Sequence, residues 1–549
     1  MKREWLLLLI IVGFAAMIRL WNLGAIPPGI NRDEASIGYT AYSLLKTGKD
    51  EYGVSWPVSI KSFGDWKLPL YIYASIVPIS IAGLTDSSVR IVSALAGILT
   101  VLLTYLLVGE AFRQSLWSRR IALGASFLLA VSPWHIHFSR VASEANVAVL
   151  FTVIASWLFF VSFRKPVAII GSSVFFAFTL YTYHGNHIFT PLLLLGIFIF
   201  YKVRLTSNRY KFFSLGILVS LAIFIYAITF LRADKTKFAG TSILSDPGVV
   251  LYQLELPRSE HENALFARVF HNRFVYVAKK FLESYVLSFS PEFLYIRGGG
   301  NNAHNIPLAG NAYLLEWSLL FIGIYRILKM RQSSGLFFLW WLAVAPIASS
   351  LTKDAPHSAR MLAILPALQV VTAFGVMTLL DFVRRQMKLV VSVVLVGGYL
   401  WSILLYFDAY FVHFPQTNSQ DWGIAYKSIA RFLVDNQSRF DRILFSKPDR
   451  SPYIYLAFYE RLDPEILQRT AMRYPETSEG FSHVAKLGTI EFRNPKYLED
   501  LLLPKTLVID WASDIPANAL SSSRIEKEIK TPEGNPHFIL LSTSPRATQ

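Results

Sequence analysis

The sequence predicts a polytopic α-helical membrane protein with about eleven transmembrane helices and a small C-terminal soluble α/β domain. Composition gives the first observation, because hydrophobic residues make up 53% of the 549 residues and charged residues only 16%, whereas a soluble globular protein carries about 25% charged residues. The mean hydropathy of +0.41 points the same way. The second observation is a series of apolar runs that polar connections separate. Together they disfavour a soluble enzyme and a disordered protein.

Eleven apolar runs predict the spans, and several need flanking residues to reach the ~20 positions that cross a bilayer. The runs lie at residues 5–21, 89–109, 121–132, 145–162, 167–181, 188–200, 212–231, 312–325, 335–350, 361–380 and 389–410. The first run follows a short basic segment that includes Lys2 and Arg3, as in a signal peptide. Its length and the lack of a small-residue cleavage site after it favour an uncleaved span.

Basic residues orient these spans. With the N-terminus in the cytoplasm, the predicted inside connections carry 17 Lys and Arg residues and the short outside connections carry three. The positive-inside rule then predicts a transmembrane domain at 1–410 with outer loops at 22–88 and 232–311, and an extracytoplasmic domain at 411–549. We expect a multi-pass protein of the cell's inner, or plasma, membrane whose polar chemistry faces outward.

The distribution of polar residues excludes several functions. The formal net charge of +16 is spread over many short loops, so we expect no nucleic-acid partner. The absence of cysteine excludes disulfides, thiolate metal sites and cysteine nucleophiles. All 11 histidines lie on the predicted outer side, and Glu316 is the main ionisable residue within a predicted span. Because charges in mid-bilayer are costly and mark transport pathways, this pattern favours an interfacial enzyme over a transporter.

The C-terminal region changes in composition. Short strands are predicted at Asp441–Phe445, Thr506–Asp510 and His537–Ser542, and a helix is predicted over Tyr453–Arg469 with an interruption at Pro464. These elements indicate a small α/β domain.

Asp33 and Glu34 lie at the start of a predicted helix in the first outer loop. Apolar and aromatic residues recur every three or four positions from Ala35 onward, and Thr47-Gly48 ends the pattern. Carboxylates in the first helical turn stabilise the helix by ~0.3–1 kcal/mol. On this observation alone a capping role is favoured over a catalytic one.

A second polar element of the first outer loop contains Asp65, Trp66 and Lys67. It precedes an apolar stretch of about 15 residues, which is too short to span comfortably and is predicted to lie as a helix in the membrane interface. Lys67 is then either an anchor whose ammonium reaches the lipid headgroups or a ligand for an anionic headgroup.

Three further outer connections are rich in hydrogen-bond donors. His135 and His137 are two residues apart, a spacing that suits a metal only on an extended strand, so hydrogen bonding without a metal is favoured. His357 and Arg360 are three apart and would share one face of a helix, where a phosphate is a plausible partner for the guanidinium. The candidate residues of these connections are His135, His137, Arg140, Tyr183, His184, His357 and Arg360.

The order of these motifs resembles the polyprenyl-phosphate-sugar glycosyltransferases of the GT-C class. The bacterial members of the dolichyl-phosphate-mannose–protein mannosyltransferase family (glycosyltransferase family 39) are most similar, and the aminoarabinose transferases are more distant. The likeness begins with Arg19, Pro28, Asp33-Glu34-Ala35, Gly48, Lys67-Leu68-Pro69-Leu70 and Arg90. It continues through SPWHIHFSR, YTYHGN, SFSPEFLY and PHSAR and covers essentially the whole chain.

The resemblance implies the GT-C fold and the inverting transfer of one sugar, mannose or similar, from a polyprenyl-phosphate donor to an acceptor hydroxyl on the outer face. The acceptor would be a protein or a glycolipid, membrane lipid would be a further partner, and no cofactor is indicated although a divalent metal stays open. It implies Asp33 as the catalytic base with Glu34 supporting it, and Lys67, His357, Arg360 and Arg140 as ligands of the donor phosphate. Further substrate contacts are expected from Asp65, His135, His137, Tyr183 and His184.

The chain departs from the aminoarabinose transferases at one motif. Those enzymes carry a carboxylate directly before the loop lysine and two prolines after it, whereas here Trp66 precedes Lys67 and Pro69 stands alone. The role of Asp65 and an aminoarabinose substrate are therefore not supported. The alternatives of another class are a transporter or lipid flippase, and a membrane anchor that displays the outer domain.

Overall fold

The computed structural model describes residues 2–63, 65–201, 240–243, 249–260, 263–477 and 480–543. The predicted span at 212–231 and parts of the predicted outer loop 232–311 lie outside these residues. The other ten apolar runs coincide with helices of the described part of the chain.

Within the described part of the first 300 residues, the α-helices are α1 (Lys2–Leu20), α2 (Arg32–Thr47), α3 (Pro69–Ala82), α4 (Asp86–Ala111), α5 (Ser118–Val131), α6 (Pro133–Ser139), α7 (Glu144–Ser162), α8 (Ala168–Leu180), α9 (Asn186–Tyr201), α10 (Leu256–Ser259), α11 (Ala264–Phe270) and α12 (Arg273–Leu287). Those that follow are α13 (Glu316–Met330), α14 (Ser333–Ser350), α15 (Ser358–Met361), α16 (Ala367–Phe382), α17 (Lys388–Asp408), α18 (Phe414–Thr417), α19 (Ile424–Asn436), α20 (Pro452–Glu460), α21 (Pro464–Thr470), α22 (Tyr497–Asp500) and α23 (Ala517–Ser522).

Four helical segments of the described residues are long and apolar enough to cross a membrane, and six are if each of two bent pairs forms one span. The bends are 60° between α5 and α6 and 55° between Ser358–Ile364 and α16. Both follow from proline, since Pro133 and Pro366 cannot continue the preceding helix. The predicted outer connection after residue 132 thus contains helix α6, and the apolar run at 361–380 forms two helical segments with a bend between them.

The contacts divide the chain into two compact units. The first contains Met1–Trp21 and Ser93–Tyr410, and the second contains Asn22–Val92 and Phe411–Gln549. The sequence predicted the outer loop at 22–88 as part of the domain at 1–410, whereas the contacts group residues 22–92 with the residues after 410. The reason is a set of polar contacts such as that of Gln468, whose amide donates to Ser43 Oγ at 3.2 Å and to the Asp50 carbonyl at 2.9 Å.

The second unit contains both sheets of the described residues. The strands are β1 (Ile60–Ser62), β2 (Asp65–Lys67), β3 (Arg442–Phe445), β4 (Met472–Arg473), β5 (Val484–Leu487), β6 (Ile490–Phe492), β7 (Thr506–Trp511), β8 (Ser523–Lys530) and β9 (Pro536–Thr543). Strands β1 and β2 form an antiparallel hairpin, and the others form one sheet in the order β4-β5-β6-β3-β7-β9-β8. Its central strand β3 runs parallel to β6 and β7, and the remaining pairs are antiparallel.

The C-terminal predictions are confirmed element by element. The three predicted strands are β3, β7 and β9, and their inner positions are almost continuously buried, as expected for strands covered on both faces. The predicted helix over Tyr453–Arg469 forms as α20 and α21, and it breaks just before Pro464. Asp463 caps the second helix by accepting a hydrogen bond from the Glu465 amide, which explains why a new helix begins there.

Candidate functional site

Helix α2 positions Asp33 in its first turn. Asn31 is the N-cap, and a capping box forms because its side chain accepts from the Glu34 amide at 2.9 Å while the Glu34 carboxylate accepts from the Asn31 amide at 3.2 Å. Gly48 ends the helix in the left-handed conformation, with φ of 69°. The helix predicted from the sequence is thus confirmed at both ends, and its two acidic residues have different surroundings.

Glu34 is buried, and both of its carboxylate oxygens accept hydrogen bonds. Its two carboxylate oxygens accept from Arg90 Nε and Nη2, each at 2.9 Å, and both side chains are almost completely buried. Arg90 also donates to the carbonyls of Leu23, Pro27 and Gly29. This bidentate pair fixes the start of α2 to the preceding loop, so Glu34 acts on Asp33 by holding its backbone in place.

Gly29 in that loop is required by its backbone and by its neighbours. Its φ is +77°, and a Cβ atom there would lie 2.6 Å from the Trp422 carbonyl oxygen. Any other residue would therefore displace the chain that leads into Asn31 and Asp33.

Asp33 is more than half exposed and meets a buried lysine. Lys67 Nζ lies 2.7 Å from Asp33 Oδ1, and the exposed fractions of the two side chains are 3% and 55%. Lys67 is the last residue of β2 and is paired with Ile60 of β1, so the hairpin carries its ammonium to the helix. The structure thus brings together two of the residues predicted from the sequence. Asp65 begins the same strand opposite Ser62, and its side chain lies outside the described part of the chain.

Phe63 completes the surroundings of this ion pair. Its ring is buried and receives the Arg32 guanidinium at 4.6 Å and the Lys67 ammonium at 5.7 Å. A cation over an aromatic face is stabilised by about 0.5–2 kcal/mol. The apolar stretch after Lys67 forms helix α3, with Pro69 in its first turn, as the sequence predicted.

The first unit holds a second polar cluster, around Asp354. Arg360 donates to the Asp354 carboxylate and to Thr352 Oγ1, the latter at 2.7 Å, and His357 Nε2 lies 3.8 Å from Asp354 Oδ2. The sequence predicted a phosphate as the partner of Arg360, and that prediction stays open. The structure adds a carboxylate partner, because Asp354 reaches Arg360 from the loop before the helix rather than from the helix itself.

His304 is a member of this cluster that the sequence did not indicate. Its ring centre lies 4.9 Å from that of His357. Asn305 holds the same loop by accepting from the Gly299 amide at 2.7 Å and from Ser358 Oγ at 2.5 Å. Only the fold brings residues 53 positions apart in the chain into this contact, and no local pattern marks His304.

Charge in this cluster follows from burial and neighbours. Burial, and after it the neighbouring His304 and Arg360, lower the pKa of His357 to about 3, so its imidazole is neutral at physiological pH. Although burial raises it, the pKa of Asp354 is lowered overall by Arg360 and then by His357. The fixed cation of this cluster is therefore Arg360, and His357 is a neutral hydrogen-bonding group.

The remaining candidates lie elsewhere in the first unit. His135 is fully buried in α6, where its Nδ1 lies 2.8 Å from Arg19 Nη2, and His137 Nε2 lies 3.0 Å from the Ala303 carbonyl oxygen. Arg140 is buried, donates to the Ile18 carbonyl at 2.5 Å and lies 5.7 Å from the Tyr410 ring centre. These contacts stabilise the fold around α6.

Tyr183 and His184 follow helix α8. Burial raises the pKa of the Tyr183 phenol, and Arg360, Glu144 and Asp354 are its charged neighbours. The His184 ring centre is 5.7 Å from that of His187. Among the described residues, no group of three or more His, Asp or Glu side chains is arranged to hold a metal ion.

Several solved structures of membrane proteins have a fold similar to that of this chain. ArnT from Cupriavidus metallidurans in the apo state matches with a TM-score of 0.56 and 12% identity, over 99% of this chain and 98% of that one. The same protein bound to undecaprenyl phosphate matches with a TM-score of 0.53 and 12% identity, over 98% of each chain. The Archaeoglobus fulgidus oligosaccharyltransferase tethered with an acceptor peptide matches with a TM-score of 0.51 and 13% identity, over 99% of this chain and 74% of that one. The fold is that of the GT-C membrane glycosyltransferases.

The family match is more specific than the fold. Residues 9–233 match the model of the dolichyl-phosphate-mannose-protein mannosyltransferase family, which confirms the resemblance found in the sequence. The chain therefore has the GT-C fold and is similar to that family over this stretch, which is less than half of its length. No curated protein sequence matches the chain.

Proposed function

We propose that this enzyme transfers a single sugar, mannose or a similar hexose, from a polyprenyl-phosphate donor to an acceptor hydroxyl on the outer face of the membrane. The observation that carries the proposal is the Asp33–Lys67 pair, in which an accessible carboxylate lies 2.7 Å from a buried ammonium. This pair supplies one group to take a proton and one to hold a negative charge. Support for the substrates comes from the ArnT structure bound to undecaprenyl phosphate and the oligosaccharyltransferase structure with an acceptor peptide.

The proposed reaction is one direct displacement. The acceptor oxygen attacks the anomeric carbon, its proton passes to Asp33, and the bond to the phosphate oxygen breaks with its electron pair on the phosphate. A single displacement inverts the anomeric configuration. The phosphate is a good leaving group and needs no general acid, but its growing charge needs fixed cations and hydrogen-bond donors.

Lys67 links proton abstraction by Asp33 to stabilisation of the charge on the phosphate. An ammonium has three N–H donors, so it can hold Asp33 and a phosphate oxygen at the same time. In this proposal the arriving phosphate draws the ammonium toward itself and weakens its hold on Asp33, which makes the carboxylate a better base. Proton abstraction is thereby coupled to the presence of the donor.

The other proposed phosphate ligands differ in what they contribute. Arg360 offers a fixed positive charge with parallel donors, and His357 offers a neutral N–H group because its pKa is about 3. Arg140 is buried against a backbone carbonyl and is proposed to act behind them. We assign no cofactor, and we expect transfer to continue in the presence of EDTA because these side chains supply the positive charge.

The proposal includes the orientation of the enzyme in the membrane. About eleven spans in the cell's inner, or plasma, membrane put the loops that carry Asp33 and Arg360, and the α/β region after residue 410, on the outside. The asymmetry of Lys and Arg between the two sets of connections supports this orientation. The acceptor is then a protein or glycolipid hydroxyl that is exposed on the outer face.

Radiolabelled polyprenyl-phosphate mannose and glucose, given to membranes that contain the enzyme, test the proposal. We expect label to pass from the lipid fraction to protein or glycolipid with one of the two sugars. Movement of the intact labelled lipid across the membrane without transfer would contradict the proposal and would indicate a flippase.

A further inference from the structure

Glu51 is a buried carboxylate to which the proposed reaction gives no role. It lies in the loop between α2 and β1 and is completely inaccessible to solvent. The Phe63 amide donates to its Oε1 at 3.4 Å, and the Tyr453 hydroxyl donates to its carboxylate at 3.2 and 3.3 Å from the two oxygens. An ionised carboxylate in such a place costs free energy unless it is paired and hydrogen-bonded.

The Phe63 amide belongs to the turn of the β1–β2 hairpin. Phe63 follows Ser62, the last residue of β1, and has a φ of +37°, a left-handed conformation that costs a residue with a side chain about 1–3 kcal/mol. Such a turn persists only if its surroundings hold it. The Glu51 carboxylate holds the Phe63 amide, and the Ser482 amide donates to the Phe63 carbonyl at 3.2 Å.

The hairpin that contains this turn positions Lys67 of the proposed catalytic pair next to Asp33. Lys67 at the end of β2 is paired with Ile60 of β1, and its ammonium lies 5.7 Å from the Phe63 ring centre and 2.7 Å from Asp33. The hairpin also contacts the helix of Asp33 directly, through a hydrogen bond between the hydroxyls of Ser36 and Ser62. A shift of the Phe63 backbone therefore moves Lys67 relative to Asp33.

We propose that Glu51 is a positioning residue for Lys67: its carboxylate holds the Phe63 amide, and the hairpin then presents the ammonium to Asp33. This inference rests on the proposed function, because the Asp33–Lys67 pair gives the hairpin its importance. The ionised form of Glu51 does the positioning, since the groups that reach its carboxylate oxygens are donors. A protonated carboxyl would direct its own O–H toward these donors.

Burial places the titration of Glu51 near neutrality. Burial raises the pKa of Glu51 to about 7, against the opposing effects of Arg473, the Phe63 amide and Tyr453. The titratable and charged groups that face it are Asp50 and Tyr52 of its own loop, Tyr39 of α2, Tyr453 of α20 and Arg473 of β4. A pKa above the ordinary 4.5 means that the folded protein binds this proton more tightly than the unfolded chain does.

Stability and activity then change in opposite directions with pH. The stability that the Glu51 proton contributes is fully present below about pH 4.5 and is lost as the pH rises through about 7. The positioning of Lys67 appears over the same upper range, as the carboxylate forms. A residue with a purely structural role would instead make turnover follow stability.

The variant Glu51→Gln tests the inference, and Glu460→Gln is its matched control. Burial also raises the pKa of Glu460 to about 7, but Glu460 ends α20 and has no place in the hairpin. With polyprenyl-phosphate sugar as donor, we expect kcat of Glu51→Gln at pH 8 to be about 10- to 100-fold lower than that of the unmodified enzyme, because a catalytic group misplaced by about 1 Å can cost about 100-fold. We further expect its kcat to lose the rise around pH 7, while its thermal midpoint at pH 8 does not fall. Glu460→Gln should keep that rise.

A Glu51→Gln variant whose kcat rises around pH 7 as in the unmodified enzyme would overturn the inference. If this variant does not fold, Tyr453→Phe removes one donor to the carboxylate and should lower kcat at pH 8 in the same direction. Unchanged kcat in a folded Tyr453→Phe variant would then count against the role of the carboxylate.

A second readout needs no activity. The chain contains no cysteine, so the pair Ser36→Cys and Ser62→Cys forms a disulfide only where the hairpin meets α2. We expect Glu51→Gln to slow this oxidation severalfold at pH 8. If no sugar is transferred but the oxidation is slowed, the proposed function fails and the positioning stands. If sugar is transferred and neither kcat nor oxidation responds to Glu51→Gln, the positioning fails and the proposed function stands.

Discussion

A half-exposed carboxylate faces a buried ammonium at the Asp33–Lys67 pair, and this asymmetry of burial determines what each residue can do. Lys67 has lost most of its hydration and depends on nearby negative charge or hydrogen-bond acceptors, because an uncompensated buried cation is costly. The Asp33 side chain is 55% exposed, so an acceptor hydroxyl can approach its open side in the proposed reaction. In the proposed reaction, an anionic donor that reaches Lys67 would replace part of the negative charge that Asp33 provides, and this is the physical basis of the proposed coupling between donor binding and proton transfer.

Arg360 is predicted to matter more for the donor than for stability. Its pair with Asp354 is partly exposed, with exposed fractions of 21% and 48%, and such pairs contribute about 0–1 kcal/mol. We expect Arg360→Ala to lower the free energy of unfolding of the unliganded enzyme by no more than about 1 kcal/mol. Polyprenyl-phosphate sugar should raise the thermal midpoint of the unmodified enzyme, and this rise should be lost in the variant.

Two further variants sharpen this test. Arg360→Lys keeps the charge without the parallel donors, so we expect weaker donor binding and slower turnover together. Asp354→Asn is the matched control, because it removes the carboxylate partner and keeps the guanidinium, and it should retain the donor-induced rise. An Arg360→Ala variant that the donor stabilises as much as the unmodified enzyme would show that the guanidinium does not contact the phosphate.

Helix α2 joins an observed capping box to the proposed catalytic carboxylate. The capping box orders the turn that contains Asp33, and the bidentate pair of Glu34 with Arg90 fixes that turn to the loop before it. A carboxylate in the first turn of a helix is also favoured by the helix dipole. The same sequence feature therefore serves as a cap at Glu34 and as an exposed carboxylate at Asp33.

Removal of the cap should reduce both stability and turnover. Asn31→Ala deletes the side chain that accepts from the Glu34 amide, and we expect the free energy of unfolding to fall by about 1 kcal/mol. Turnover should also fall, because Asp33 lies two residues further on. Asn263→Ala is the control, since Asn263 caps α11 by accepting from the Leu265 and Phe266 amides. Turnover and urea unfolding are measured for both variants. Equal turnover in the two would show that the cap at Asn31 supports stability but not the reaction.

At the scale of the whole molecule, orientation in the membrane is the main untested prediction. The excess of basic residues on one set of connections predicts that residues 411–549 face outward. A cysteine probe can test this in a chain without native cysteine. Ser451 is a poor position because it is completely buried, whereas Ser521 is exposed.

We expect Ser521→Cys to react with a membrane-impermeant maleimide in intact cells, after the outer membrane is permeabilised where one is present. Gln114→Cys, in a predicted inside connection, should react only after the inner membrane is broken. Protection of Ser521→Cys until that point would reverse the assigned orientation.

The sequence predicts the elements of this molecule better than their contacts. Apolar periodicity and punctuation by Gly and Pro locate α2, α3 and the strands β3, β7 and β9, because these signals are local. They do not reveal that Arg90 pairs with Glu34, that Asp354 pairs with Arg360 or that Glu51 reaches Tyr453, 402 positions away. Such partners depend on how the chain folds back, and residues 22–92 join the C-terminal unit for the same reason.

The central claim is that Asp33 takes the proton from the acceptor, and the turnover of Asp33→Asn tests it most directly. Asparagine keeps the size and the hydrogen-bonding oxygen that faces Lys67 but cannot accept the proton at neutral pH. With purified enzyme and saturating polyprenyl-phosphate sugar, we predict that kcat falls by about 100-fold or more, the usual contribution of a general base, while the donor-induced rise in thermal midpoint remains. Near-normal turnover of a folded Asp33→Asn enzyme would show that Asp33 only stabilises the start of its helix.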